Sequence, residues 1–237
     1  KMSRARPVSE TEAPGLHEDI RELAARAGVP MPRVYLIDAE QPNAFATGRD
    51  PKHSAVAVTR GLLESLPREQ VRGVLAHELA HVTNRDVLVA TIAAVIAGAV
   101  AAVANFLQFS LLFGGGDDDE SPLGFVGALA TIVLAPLAAM LLQLAVSRQR
   151  EYLADATGAR ILGEGRPLAD ALESIHAKVA VKPMAVNPAT EALYIANPLA
   201  GVKGMASLFS THPPVDERVR RLRQLDRRLV GELVFAA

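Results

Sequence analysis

The chain has 237 residues, 50% of them hydrophobic and 22% charged, with a formal net charge of −1. A balance this neutral, with only 4% aromatic residues, supplies neither the basic surface nor the stacking rings that nucleic-acid binding uses, so nucleic acid is excluded as a partner. No cysteine is present, which removes disulfides and thiolate ligands and leaves His, Asp and Glu to hold any zinc.

The mean hydropathy of +0.20 is high for a soluble chain of this length, so apolar segments beyond a globular core are expected. Lys1 ahead of Met2 is expected of a piece of a longer chain, and Met2–Ala13 lacks the apolar core of a signal peptide. Pro14–Ala27 reads as an amphipathic helix, with Leu16, Ile20, Leu23, Ala24 and Ala27 on one face and Gly28 to end it. Arg33–Ile37 has strand composition; Asn43–Gly48 and Ser54–Thr59 read as two more strands around the turn at Arg49–His53. A small antiparallel sheet is expected. His17 and His53 have no metal-ligand spacing around them and are read as surface positions.

Ser65 and Pro67 mark the start of the next helix. It carries His77-Glu78-Leu79-Ala80-His81, an HExxH. Imidazoles four residues apart on a helix share a face and reach one metal ion, while the intervening glutamate projects beside the open coordination position. That is the arrangement for activating a water. A metal site of this kind needs a third protein ligand and a partner to orient it, and Glu151-Tyr152-Leu153-Ala154-Asp155 offers both.

The helix is expected to run on through Asn84-Arg85-Asp86 into Val87–Phe113, which has 27 residues and no charge. About 20 apolar residues span a bilayer. After the Gly/Asp-rich break at 114–120, Pro122–Val146 adds 25 uncharged residues, and the pair reads as a transmembrane hairpin, with a kink at Pro136. Arg72, Arg85, Arg148, Arg150 and Arg160 flank the hairpin, whereas its loop, Asp117–Glu120, is acidic. The loop is therefore expected outside and the metal site on the cytoplasmic side of the cell membrane. The organisation is a catalytic domain in two parts, residues 14–86 and 147–230, interrupted by the hairpin at 87–146.

A hairpin returns the chain to the side it left. If the helices continue, His81 and Glu151 lie at similar depth, about 7 to 9 Å beyond the apolar runs at 1.5 Å per residue. Asp155, one helical turn after Glu151, is placed to accept from the far nitrogen of His77 or His81; Asn84 and Asp86 are candidates for similar roles. Beyond Leu162 a helix is expected at Leu168–Val179, with His176 structural, followed by an irregular Pro/Asn/Gly-rich stretch from 181 to 208. The last helix shows Val215, Val219, Leu222, Leu225 and Leu229 on one face, and its arginines, Arg218, Arg220, Arg221, Arg223, Arg227 and Arg228, read as a solvated face.

HELAHVTNRD, SRQREYLAD, PNAFATG and FSTHPP resemble the motifs of the HtpX-type membrane zinc metalloproteases, bacterial quality-control enzymes related to the CAAX prenyl endopeptidases. The resemblance covers the chain from about Gly15 to Leu225. It implies a gluzincin-type fold, mainly α with a small sheet (α+β), one zinc per chain on His77, His81 and Glu151, and Glu78 as general base. It further implies that Asn43 holds substrate backbone and that His212 helps stabilise the oxyanion. The implied activity is hydrolysis of peptide bonds in misfolded or damaged membrane proteins, with polypeptides and the bilayer as partners. Prenyl-protein processing and a non-catalytic membrane scaffold are the alternatives. The family usually carries two further membrane helices upstream, which this sequence lacks.

Overall fold

A computed structural model describes residues 5–113, 122–181 and 213–235. It divides into two compact units: residues 1–87 with 148–237, and residues 88–147. The described part of the first unit is mainly helical with one small mixed sheet, and the metal-site motifs belong to it.

The sheet has four strands, β1 (Ala5–Pro7), β2 (Arg33–Ile37), β3 (Ala44–Gly48) and β4 (Ser54–Thr59), in the order β1-β2-β4-β3. β3 and β4 pair antiparallel, with Ala46 opposite Val56, but β2 and β4 pair in parallel, with Tyr35 opposite Ala57. The expectation of a purely antiparallel sheet is corrected. Strand direction alternates along the chain, yet β4 inserts between β2 and β3, so the two strands running the same way become neighbours. The insertion goes with burial: all six residues of β4 are buried, and its Val and Ala side chains suit a strand covered on both faces. The less buried β3 is left at the edge.

Helix α1 (Pro14–Ala27) starts on a proline and ends at Gly28, whose left-handed backbone (φ 66°) lets the chain turn back. Leu16, Ile20, Leu23 and Ala24 bury its apolar face. The short α2 (Arg60–Ser65) is capped by Thr59, whose hydroxyl accepts from the Leu62 N–H. Helix α3 (Arg68–Thr83) is the hub of this unit. Residues 73–80 are buried without interruption, and the helix packs against α1, β3 and α6 (Arg166–Val181). Asp19 of α1, almost fully buried, takes Arg68 and Arg72 of α3.

Helix α3 does not continue into the apolar run. Asn84 closes it, Arg85 takes a left-handed conformation (φ 54°), and α4 (Asp86–Phe113) begins afresh. The expected continuous helix is corrected, and the break turns the Asp86 side chain back toward α3. Among the described residues one helix segment, Asp86–Phe106, is long and apolar enough to cross a membrane, and 6% of it is buried. Helix α5 (Pro122–Leu162) contains the second apolar run, most of whose side chains lie outside the described residues. So do the acidic loop at 117–120, the irregular stretch and His212.

Small residues let α3 be surrounded. A Cβ on Gly73 would lie 2.6 Å from the Leu168 N at the start of α6, and one on Gly158 of α5 would lie 3.0 Å from the backbone of His77. Backbone atoms cannot rotate away as a side chain tip can. Gly73→Ala is therefore expected to destabilise the protein by about 1 to 3 kcal/mol, as overpacked cores do, despite alanine's better helix propensity. Denaturant unfolding checks this; an equal or higher stability would mean that α3 and α6 separate freely.

Candidate metal centre

His77 and His81 project from α3 to one side, and their Nε2 atoms come within 3.1 Å of each other with the rings nearly perpendicular at 87°. Glu151 of α5 meets both: its Oε2 lies 3.7 Å from His77 Nε2 and its Oε1 3.7 Å from His81 Nε2. These three side chains offer donor atoms all within 4.8 Å of one another, positioned to hold one metal ion.

The far nitrogens of both rings face carboxylates. Asp86 Oδ2 accepts from His81 Nδ1 at 2.5 Å. Asp155 Oδ1 lies 3.0 Å from His77 Nδ1, close enough for a hydrogen bond although the ring N–H is not aligned on it. A carboxylate at Nδ1 keeps the proton there and turns the Nε2 lone pair inward. Once His81 gives up its Nε2 proton, two converging Nε2 lone pairs beside a carboxylate suit a divalent cation, so the donor set fits a metal. Asn84 takes a different contact, its Oδ1 accepting from Thr157 Oγ1 at 3.4 Å.

Arg218 is the residue that sequence reading missed. Assigned to a solvated face, it is fully buried, which corrects that assignment. From helix α7 (Val215–Phe235) it grips Asp155 with two hydrogen bonds, Nε to Oδ2 at 2.9 Å and Nη2 to Oδ1 at 2.7 Å, while Nη1 lies 3.4 Å from Glu151 Oε2. A signal was present: position 218 falls one turn after Val215 and one turn before Leu222, on the apolar face. Arg220, Arg221 and Arg223 do face outward, paired with Glu217 and Glu173. His17 is bonded to the Val8 carbonyl and His53 to Asp50.

Glu78 lies buried next to His77, and its Oε2 accepts from the Ala46 N–H of β3 at 2.8 Å. The register accounts for that bond. Thr59 N donates to the Asn43 carbonyl, so Asn43, Phe45 and Thr47 turn their backbone groups toward β4 while Ala44, Ala46 and Gly48 turn theirs to the side on which no strand pairs among the described residues. Asn43, buried at the head of β3, is held by Thr59, whose Oγ1 accepts from its N–H at 2.8 Å and donates to its carbonyl at 3.0 Å.

Burial raises the affinity of Glu78 for a proton; the imidazoles and the Ala46 N–H oppose this only in part. Burial would likewise lift Asp155, but the Arg218 guanidinium and the His77 ring outweigh it and hold that carboxyl below its ordinary value. For His81, burial favours the neutral ring, yet the Asp86 hydrogen bond and the nearby Glu151 and Glu78 prevail and hold its pKa up at about 9.

A helix that carries HExxH, with a carboxylate from a second helix beside both imidazoles, is the donor pattern of metallopeptidases. The model of Peptidase family M48 matches residues 10–226, and the chain belongs to that family. A Protease HtpX homolog of Pelotomaculum thermopropionicum is 55% identical over 223 residues, covering 93% of this chain and 79% of the relative. One of Aquifex aeolicus is 52% identical over 238 residues, covering 98% and 78%. Among solved structures, Ste24p of S. mikatae superposes with a TM-score of 0.62 at 22% identity, over 93% of this chain. The chain spans about half, 52%, of that longer protein, and the likeness is one of fold.

With a pKa near 9 in the metal-free protein, His81 carries a proton at neutral pH, and a metal ion must displace it. Metal affinity is therefore expected to rise as pH increases from 6 toward about 9, with about one proton released per ion from this ring at pH 7. Calorimetry in buffers of different ionisation enthalpy checks this. Affinity independent of pH over that range would show that His81 is neutral before the ion arrives. Glu151→Ala is expected to lower metal content; full occupancy would remove Glu151 from the ligands.

Proposed function

We propose that the protein is a zinc endopeptidase that cleaves misfolded or damaged membrane proteins from the cytoplasmic side, with one zinc per chain on His77, His81 and Glu151. The observation that carries this reading is the buried Glu78 carboxylate beside the converging imidazoles, tied to the edge strand β3 by the Ala46 N–H. A zinc ion in such a site supplies a Lewis acid that polarises a carbonyl and acidifies water. The remaining steps belong to the chain. Glu78 accepts the proton of the attacking water, a transfer that its raised proton affinity favours, and then delivers it to the leaving nitrogen, whose own basicity as an amine drives the second transfer.

The edge of β3 supports the choice of substrate class. An extended peptide adds to such an edge through its backbone, which suits a protease that accepts many unrelated sequences. Asn43, fixed at the head of that strand by Thr59, is the proposed anchor for a peptide carbonyl or N–H. His212, outside the described residues, is the proposed oxyanion partner. Asp155 and Asp86 hold the two imidazoles in the required tautomer, and Asn84 closes the helix that carries them. A non-catalytic scaffold is disfavoured because a structural metal site has no use for Glu78.

Glu78→Gln is expected to retain zinc and to lose turnover of an unfolded protein substrate by roughly 100-fold or more, since an amide takes no proton. Asn43→Ala is expected to slow many substrates by similar factors with zinc content unchanged. Wild-type turnover in the first variant would defeat the general-base role, and unaltered kinetics in the second would defeat the anchor.

Membrane insertion with the site on the cytoplasmic side rests on the apolar segment Asp86–Phe106 and on the arginines flanking the two apolar runs. A cysteine placed at 117–120 should react with an impermeant thiol reagent on intact cells, and one at Arg166 only after lysis. The opposite pattern would invert the orientation.

A further inference from the structure

Arg150 is one of the arginines that flank the hairpin, and it also has a partner inside the fold. In the structure its side chain is only 21% exposed, and its Nε lies 3.0 Å from Oδ1 of Asp86, itself 3% exposed. The other oxygen of the same carboxylate, Oδ2, accepts from His81 Nδ1. One carboxylate thus joins the guanidinium of Arg150 to the imidazole of a metal-site histidine. The N–H of Arg150 Nε is not aligned on the oxygen, so the contact acts mainly as a charge held at fixed distance.

We infer that Arg150 is a positioning residue, which acts through Asp86 to fix the His81 ring for the metal. The inference rests on the metal-site reading of His77, His81 and Glu151. Three observations carry it. Asp86 is buried against a ring that has a second carboxylate, Glu151, on its other side, so without a cation nearby these carboxylates repel each other across His81. Asp86 stands at the first turn of α4, immediately after the left-handed Arg85, and its two carboxylate oxygens face His81 and Arg150 respectively. Arg150 immediately precedes Glu151 on α5, so the same turn of helix that supplies the third metal-site side chain also supplies the cation that holds Asp86.

There is a consequence for the apolar unit. It comprises residues 88–147, and Asp86 and Arg150 stand just outside its two ends. Their ion pair fastens the chain where it departs to where it returns, and the same carboxylate orients His81.

The test uses the full chain in detergent, stripped of metal and titrated with Zn²⁺ or Co²⁺ alone against a competing chelator. Arg150→Ala is expected to weaken metal binding roughly 10- to 100-fold, the usual effect of removing a partner behind a ligand. It should also alter the visible absorption of the Co²⁺ form, which reports ligand geometry. Arg150→Lys should recover part of both, and it carries the same prediction at smaller size if the alanine variant does not fold. Arg160→Gln, an exposed change on the same helix, should alter neither. The decisive arm is the double variant: if Arg150 acts through Asp86, Arg150→Ala adds nothing to the loss already caused by Asp86→Asn. Additive losses, or wild-type affinity and spectrum in Arg150→Ala, would overturn the inference. A wild-type chain that binds no metal would instead defeat the metal-site reading on which it rests.

Discussion

The structure depends on the balance of charge buried around helix α3. Glu78, Asp86, Glu151 and Asp155 are all buried, and the guanidiniums that answer them are Arg218, fully buried, and Arg150. Two negative charges are left over among these groups, the charge that one divalent cation cancels. Isolated buried carboxylates cost several kcal/mol each, so this cluster is tolerable only when every member has its partner. In the metal-free protein the raised proton affinity of His81 covers part of the deficit. Stability and metal binding are thus one electrostatic problem, and Arg218 and Asp86 belong to it as fully as the three side chains that converge.

The backbone break at Asn84 and Arg85 is what makes the balance possible. A continuous helix would place Asp86 five residues past His81, more than one turn on and rotated away from the imidazole face. The left-handed residue reverses that direction, and Asp86 lands on His81 Nδ1. A non-glycine residue in that conformation carries some strain, which the Asp86 contacts to His81 and Arg150 offset. The chain therefore leaves the catalytic unit through a turn built to supply a carboxylate, rather than through a straight extension of α3.

What could be read in the sequence was local. The i, i+4 imidazoles, the apolar face of α1 and the glycine that ends it depend on neighbours within a turn or two, and periodicity exposes them. The strands of the sheet were legible as segments, but the insertion of β4 between β2 and β3 was not, because burial on both faces is a tertiary fact that no alternation in Ser54–Thr59 announces. Arg218 was misread for the same reason. Arginine on a helix is usually solvated, and the partners that bury Arg218, Asp155 and Glu151, lie more than sixty residues away in the chain. Only the position of Arg218 among Val215, Val219 and Leu222 hinted that it faces inward.

Each neighbour of α3 fixes one group, which explains how a site can be assembled from distant segments. β3 brings the Ala46 N–H to Glu78, α4 brings Asp86 to His81, α5 brings Glu151, and α7 brings Arg218 to hold Asp155 and Glu151. Gly158 lets α5 come against the His77 backbone itself, so a carboxylate on a separate helix reaches the imidazoles without a long side chain. Such an assembly needs its segments fixed in space and is indifferent to what the chain does between them. An apolar unit of residues 88–147 can therefore interrupt the catalytic unit, provided its two ends are held together. Asp86 and Arg150 satisfy that condition with the same carboxylate that orients His81, so joining the interrupted chain and building the metal site are accomplished by one contact.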